Sequence, residues 1–401
     1  MLFNFICRNA STNARPYIKL ELQCHGLLLS SSHQSFQFAT ANRHSFTVNY
    51  LINSCGISPE SAILASGHLN LSKSPKTANS VLSFLNRQGF TKSQVSKVIS
   101  SHPKILLCDL KKTLLPNFQI LKSIGFSNAD LATIVISRPK SVLQEEFQGK
   151  ALLSINYLRT VLGSDDKVIN AIKRFPQALT YDLQVYAKEN IRMLLELGVP
   201  ESRIKAMLAQ QPRTFLTSAD SFRKVVMDVK EMGFDPSKSR FLWAIHAFRA
   251  MSKLTWNKKV EVYKKWGWTE DEILMAFERN PGCMMASTDK ITRILDFLVN
   301  TMGWERSYII QSPIVLCYSI EKRIIPRCLV YKYLAEKGLT DEKDNICATQ
   351  SHWLMYSETS FLKWVVNRYV KEAPGLLTLY QKHLKGANGS TSSAKPKRNV
   401  I

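Results

Sequence analysis

Basic side chains recur along this chain close to a set of prolines that has nearly the same period. Lysine and arginine at equivalent positions of a repeat can contact successive phosphates of a nucleic acid, which supplies affinity but little sequence choice. At helix C-terminal ends the same residues would complement the helix dipole, and the sequence leaves both roles open. Six consecutive repeats carry such a cation within two residues of the proline position: Lys104, Arg138 with Lys140, Arg174, Arg213, Arg249 and Arg279.

Residue patterns typical of catalysis or metal binding are missing from the sequence. It contains no glycine-rich phosphate loop, no Gly-x-Ser-x-Gly and no His-Glu-x-x-His. Isolated histidines such as His102 and His246 are more typical of surface or packing positions than of ligands. A zinc site built from Cys283, Cys317 and Cys328 is disfavoured because no two of these cysteines have short ligand spacing. We therefore expect no enzyme, no catalytic residue, no metal and no cofactor.

Regularly spaced glycines define the elements that would position the cations. Intervals of 33 to 38 residues separate them, and a fixed period of this length is typical of a solenoid built from helical repeats. A glycine at this pitch is read as the left-handed residue that ends a helix. The nine glycines are Gly56, Gly89, Gly125, Gly163, Gly198, Gly233, Gly267, Gly303 and Gly338.

A helix-starting residue follows most of these glycines two positions later. We interpret it as the N-cap of a short helix, with capping boxes completed by Gln94 and Glu272. Pro59 and Pro236 would then occupy the first helical position, where a missing N–H costs nothing. The predicted caps are Ser58, Thr91, Ser127, Asp165, Asp235, Thr269 and Thr340.

The prolines end these short helices, because proline cannot continue a helix interior. A longer helix follows, with Asp109 as a plausible cap, and runs to the next glycine. Alternation with period two is missing, so strands are not expected. The pattern predicts an all-α superhelical solenoid of about nine repeats of ~35 residues, right- or left-handed. Ala247 replaces the proline of one repeat, and late repeats deviate at Pro313 and His352.

Charge and composition narrow the choice of partner. The net charge is +23; residues 1–45 and residues 386–401 contribute +3 each, so the repeat region, residues 46–385, carries +17. A folded array with this excess favours a polyanion or an anionic surface, although a basic protein without such a partner is the simpler alternative. No apolar run approaches the roughly 18 residues of a membrane helix. Eight cysteines without a Cys-x-x-Cys pair suit free thiols in a reducing compartment.

The two ends of the chain differ from the repeats. Residues 1–45 are basic, serine-containing and nearly free of acids, which is typical of an organellar transit peptide; a mitochondrial address is favoured and a chloroplast address is the alternative. Residues 386–401 are predicted to form a flexible basic tail. All seven tryptophans lie between Trp243 and Trp364, where packing is favoured over base stacking.

Several segments together resemble a known family. The runs SCGISPESA, HPKILLCDLKKTLLPNFQILKSIGF, WGWTEDEIL and SPIVLCYSIEKRIIPRC, within about residues 50–385, are similar to plant members of the mitochondrial transcription termination factor (mTERF) family. The resemblance implies left-handed repeats of two α-helices plus a short 3-10 helix, curved around a basic groove for double-stranded nucleic acid. It implies a role in organelle gene expression, such as transcription termination or initiation or intron splicing.

The expected partner is therefore a nucleic acid, with duplex DNA favoured and RNA possible, bound by a monomer with the recurring cations as candidate contacts. A helical-repeat scaffold that binds proteins is the main alternative. A pentatricopeptide-type reader of single-stranded RNA shares the period but lacks the proline and capping pattern.

Overall fold

The computed structural model describes residues 46–67, 69–71, 75–137, 139–144, 146–339 and 352–389. The described chain forms two compact units, residues 46–224 and residues 225–389, which we call the N-terminal and C-terminal units. Every regular element in these residues is a helix, so the all-α prediction is confirmed. The count of about nine repeats and the handedness stay predictions.

In the N-terminal unit, short and long helices alternate after the first helix, Phe46–Asn53. The short helices are Pro59–Ser66, Lys92–Ser101, Asn128–Ser137, Asp165–Arg174 and Glu201–Gln210. The long helices are Pro75–Arg87, Leu115–Ser123 with the preceding π-turn Leu110–Leu114, Phe147–Leu162, Leu183–Glu196 and Ala219–Glu231, the last of which crosses into the C-terminal unit. Between them lie the proline-started segments Pro103–Leu107, Pro139–Val142, Pro176–Thr180 and Pro212–Phe215.

The C-terminal unit continues the alternation and then departs from it. Its short helices are Ser239–Ala250, Glu270–Arg279 and Arg306–Gln311, and its 3-10 helices after proline are Pro281–Met285 and Pro313–Cys317. Its long helices are Lys253–Lys265, Thr288–Asp296 with the π-turn Phe297–Thr301, and Ile325–Glu336 after the π-turn Ile320–Ile324. The last elements are Glu358–Phe361, Leu362–Val366, Asn367–Tyr369 and Leu376–Gly389.

Left-handed backbone at the repeat glycines ends the long helices as predicted. All nine of these glycines have positive φ, between 66° and 104°. At Gly163, for example, φ is 66° and the backbone N–H donates to the carbonyl of Arg159, which satisfies a helix-end acceptor. The glycine period is therefore a period of helix ends.

The predicted N-caps are confirmed where the short helix begins directly after the cap. Ser58 accepts a hydrogen bond from the Ser61 N–H, with Pro59 in the first turn. Thr91 and Thr269 form both bonds of a capping box. Thr340 lies outside the described residues.

Two of the predicted caps are wrong. Ser164 is the N-cap of Asp165–Arg174, so Asp165 lies in the first turn and pairs with Arg159 instead. Asp235 accepts hydrogen bonds from the backbone and hydroxyl of Ser237, which form a turn. The next helix therefore starts only at Ser239, and Pro236 is not its first residue.

The prolines start a new helical segment as well as ending the short helix. Pro103 is the first residue of a 3-10 helix, preceded by His102 outside helical geometry. Ala247 shows the reverse: without proline there, Ser239–Ala250 continues for 12 residues, and a long helix follows after the cap Ser252 with no 3-10 helix between.

Successive repeats are joined by hydrogen bonds from a long helix to the segment that follows the next short helix. The C-terminal end of a 3-10 helix leaves backbone carbonyls without a partner, and a side chain from the preceding long helix donates to them. Asn190, which is fully buried, donates from Nδ2 to the carbonyls of Phe215 and Thr217 at 2.9 and 3.0 Å. We call these donors the anchor residues: Asn117, Ser154, Asn190, Lys259, Lys290 and Arg327.

Anchor residues in the N-terminal unit are neutral. Asn117 donates from Nδ2 to the Val142 carbonyl at 2.7 Å, and the buried Ser154 hydroxyl donates to the Tyr181 carbonyl. Their small polar groups complete the backbone hydrogen bonding without burying a charge.

Anchor residues in the C-terminal unit are cationic. Lys259 donates from Nζ to the Met284 carbonyl, and Lys290 donates to the Cys317 carbonyl at 2.8 Å. Arg327 is 1% exposed and donates from Nη1 to the Trp353 and Tyr356 carbonyls at 2.9 and 2.7 Å. Here the same structural need is met by charged donors.

Most of the remaining core is apolar, and several tryptophans belong to it. Trp256, Trp268 and Trp304 are buried, which confirms the packing interpretation for these residues. No helix among the described residues is long and apolar enough to span a membrane. The five described cysteines are free thiols: Cys55, Cys108, Cys283, Cys317 and Cys328.

Candidate nucleic-acid interface

Three of the predicted cations are exposed next to the proline position of their repeats in the N-terminal unit. Lys104 and Arg213 are the second residues of proline-started 3-10 helices, and Arg174 is the last residue of a short helix. All three therefore lie at the end of the repeat where the short helix stops. We call this the proline edge, and the opposite end, where the glycines lie, the glycine edge.

Two predicted cations lie in the C-terminal unit and are less accessible to a ligand than the three in the N-terminal unit. Arg279 is exposed, but its Nη1 donates to the Gln311 carbonyl, the last of the next short helix, at 3.1 Å. Arg249 is only half-exposed, near the end of the helix Ser239–Ala250. At Arg279 the helix-end role considered from the sequence is observed directly.

The remaining pair lies in a part of the repeat that the structure covers incompletely. Arg138 lies outside the described residues. Lys140 belongs to the short helix Pro139–Val142, but its side chain is also outside them. Both keep the status of predictions.

A second group of cations on the proline edge was missed by the sequence reading. Lys111 and Lys112 lie in the π-turn that starts a long helix, and Lys76 and Lys188 lie near the starts of two others. All four side chains are exposed. A signal for them existed, because the capping residue Asp109 marks where one of these helices begins.

Acidic side chains on the glycine edge are largely engaged with basic ones. Arg159 donates to Asp165 at 2.6 Å, and this hydrogen bond lowers the pKa of the Asp165 carboxyl. Burial raises the pKa of Asp130, but hydrogen bonds from Ser127 and Lys173 outweigh it and leave a lowered pKa. The positive charge of these cations is thereby offset at that edge.

Neither a metal site nor a reactive thiol is indicated among the described residues. No cluster of three or more His, Cys, Asp or Glu side chains there has metal-binding geometry. Burial raises the pKa of the Cys55 thiol to about 12 and raises that of Cys328 further, so both stay protonated near neutral pH.

Capped short and long helices that alternate along the described residues define the chain as an α-helical repeat protein. A family model described as mTERF matches residues 82–248 and 148–362, which together cover more than half of the chain. The chain belongs to the mTERF family.

Curated relatives from Arabidopsis thaliana are similar at low identity. The chain is 21% identical over 220 residues to "Transcription termination factor MTERF15, mitochondrial", covering 55% of this chain and 48% of that protein. It is 20% identical over 231 residues to "Transcription termination factor MTERF8, chloroplastic", covering 57% and 45%. The chain thus spans about half the length of these relatives. Proteins of both organelles are among them, which agrees with the predicted organellar location.

Proposed function

We propose that this protein binds nucleic acid and regulates organelle gene expression, through transcription termination or regulation or through intron splicing. The observation that carries the proposal is the recurrence of exposed cations beside the proline positions of repeats that belong to the mTERF family. A charge of +17 on residues 46–385 supports a polyanionic partner. The protein acts as a monomer without catalysis, in mitochondria, with the chloroplast as the alternative.

Duplex DNA is the favoured ligand, and structured RNA is the second choice. Duplex DNA carries one charge per roughly 1.7 Å of axis, a density that suits cations recurring from repeat to repeat. The proposed contacts are the proline-position cations Lys104, Arg138, Lys140, Arg174, Arg213, Arg249 and Arg279.

A salt titration tests the proposal. The full chain is titrated onto fluorescent duplexes of DNA and of RNA of mixed sequence, at several salt concentrations. We expect log K to fall linearly with log salt at a slope of about −0.9 for each phosphate contacted. A flat dependence, or no binding at low salt, would overturn it.

The alternative is a scaffold that binds proteins, and one observation favours it. Leu153 and Val185, on neighbouring long helices, are 50% and 65% exposed, and exposed apolar side chains mark many protein interfaces. A partner held there would bind with little salt dependence. The same titration, with a candidate protein in place of the duplex, separates the two functions.

A further inference from the structure

In the N-terminal unit, acids are common in the first turns of the short helices and rare in the first turns of the long helices. Four of its five short helices have an acid in the first turn: Glu60, Asp130, Asp165 with Asp166, and Glu201. The short helices thus follow the rule that negative charge stabilises a helix start. Among its long helices only Ala219–Glu231 has a first-turn acid, Asp220.

Exposed lysines lie in the first or second turn of three of these five long helices. Lys76 is the second residue of Pro75–Arg87, Lys111 and Lys112 are the second and third residues of Leu110–Leu114, and Lys188 is the sixth residue of Leu183–Glu196. A positive charge in the first turn opposes the helix dipole at a cost of about 0.3–1 kcal/mol. Helix stability therefore does not explain these lysines, least of all the three in first turns.

Four acids at or near the starts of the long helices are committed elsewhere. Asp109 and Asp182 accept hydrogen bonds from backbone N–H groups at the helix starts. Glu146 pairs with Lys150, and Glu189 pairs with Arg192. Within the described part of the chain, Lys76, Lys111, Lys112 and Lys188 take part in no ion pair.

Chain geometry puts these lysines on the same edge as the proline-position cations. A short helix ends at the proline edge, a 3-10 helix of five residues such as Pro103–Leu107 follows, and the long helix starts there. Five residues of 3-10 helix span about 10 Å. Two rows of cations therefore border one edge, whereas the short-helix acids lie on the glycine edge.

We infer that Lys76, Lys111, Lys112 and Lys188, here called the helix-start row, form a second line of phosphate contacts beside the proline-position cations. The inference rests on the proposed function and names the residues that carry it in the N-terminal unit. Exposed lysines that take part in no ion pair attract phosphate through their own positive charge. Two rows widen the positive edge, which suits a duplex with its two charged strands.

A pair of matched double variants tests the inference in the full chain. Lys76→Gln with Lys112→Gln removes two charges from the helix-start row. Arg87→Gln with Lys122→Gln removes two exposed charges from the last turns of the same two helices, at the glycine edge. Both double variants have the same net charge, so a difference between them reports position alone.

We expect the helix-start variant to bind a mixed-sequence DNA duplex about tenfold more weakly at 0.1 M salt, with a salt slope smaller by about 2. The glycine-edge variant should stay within about twofold of wild type, with an unchanged slope. The melting temperature of the helix-start variant should not fall, because losing a first-turn cation removes an unfavourable contact with the helix dipole. Weaker binding by this variant would then not be caused by unfolding.

Equal weakening by both variants would mean that only net charge matters and would overturn the inference. Unchanged binding by the helix-start variant would overturn it too and leave the proline-position cations as the contacts. In both cases wild-type binding persists and the proposed function stands. No wild-type binding to any duplex would defeat the proposed function, and the inference with it.

Discussion

In both compact units a side chain of one repeat donates a hydrogen bond to backbone carbonyls of the next repeat, but the two units use different donor groups. In the N-terminal unit the anchors are an amide or a hydroxyl, as at Asn190 and Ser154. In the C-terminal unit they are an ammonium or a guanidinium, as at Lys259 and Arg327. In both units the acceptors are backbone carbonyls around the end of a proline-position segment. Both units therefore require a hydrogen-bond donor there, and they differ only in which group donates.

This difference shows that the fold specifies a donor and leaves its charge open. A neutral donor contributes a net 0.5–1.5 kcal/mol per hydrogen bond, about half as much as a charged one. A charged donor must also lose its hydration, which can exceed the gain. Because each hydrogen bond from a charged donor is the stronger one, removing an anchor should cost more in the C-terminal unit. The lost hydration should lower the pKa of a buried ammonium and so make the stability of this unit depend on pH.

Removing the guanidinium of Arg327 should give the largest effect. Arg327→Leu leaves the Trp353 and Tyr356 carbonyls without their donor and Glu358 without its 3.0 Å ion pair. We expect a loss of about 3–5 kcal/mol in unfolding free energy, measured by denaturant unfolding, because two carbonyl acceptors lose their donor at roughly 1–3 kcal/mol each. Arg293→Gln, which breaks the exposed pair with Glu321, is the control and should cost about 0–1 kcal/mol. Similar losses in both variants would contradict the anchor role.

Lys259 should make the C-terminal unit depend on pH. Burial lowers the pKa of Lys259 from 10.5 to about 8, below its unfolded value. Both states hold the proton below pH 8, and only the unfolded state holds it between about 8 and 10.5, so the contribution of Lys259 to unfolding free energy rises with pH across that window.

The measurement compares wild type with Lys259→Met, because titrations common to both proteins cancel in the difference. Between pH 7 and pH 10 wild type should gain about 2 kcal/mol relative to the variant. A difference that stays constant across this range would show that Lys259 keeps its charge on folding.

Replacing a neutral anchor should cost less than replacing Arg327. Asn190→Leu keeps the volume roughly constant but leaves the Phe215 and Thr217 carbonyls unpaired. We expect about 2 kcal/mol of lost unfolding free energy, the penalty for buried acceptors without a donor. Gln184→Ala, at an exposed position of the same helix, serves as the control. If Asn190→Leu cost more than Arg327→Leu, the ranking of the two units would be reversed.

The smallest effect should be equal in both units, because their glycine turns are alike. Gly198 and Gly303 have φ of 79° and 69° and no atom within 4 Å of an added Cβ, so each Gly→Ala change should cost about 1–2 kcal/mol from left-handed strain alone. Gly149 lies inside a helix with equally open space. Gly149→Ala should instead stabilise by about 0.5–1 kcal/mol. If all three variants changed the unfolding free energy in the same direction, the left-handed backbone assigned to Gly198 and Gly303 would be contradicted.

Local features were predictable because they depend on neighbours in the chain. The glycine ends, the capping boxes at Thr91 and Thr269 and the break at Pro103 each involve residues within four positions of one another. The errors at Asp165 and Asp235 are one- and three-residue shifts of a helix start, and in both cases the predicted cap accepts a hydrogen bond elsewhere, from Arg159 or from Ser237.

The candidate interface was predicted only in part. Cations near the prolines could be found because they share the period of the repeat. The sequence marked the helix-start row at only one of its three helices, through the cap Asp109, because its lysines have no shared sequence offset. Lys111 and Lys112 lie in a π-turn, where Leu115 donates to the Leu110 carbonyl five residues back and the following Pro116 has no N–H to donate.

The sequence by itself determined the period, the helix ends and the positive charge, since glycine, proline and capping residues act through the backbone next to them. Only the tertiary structure decided which polar side chains are buried and which cations are free. Asn190 and Lys259 each bond to a carbonyl about 25 residues away, and such a contact exists only once one repeat has packed on the next. Packing likewise engages Arg279 with Gln311 and leaves Lys112 exposed, although both are ordinary cations in the sequence.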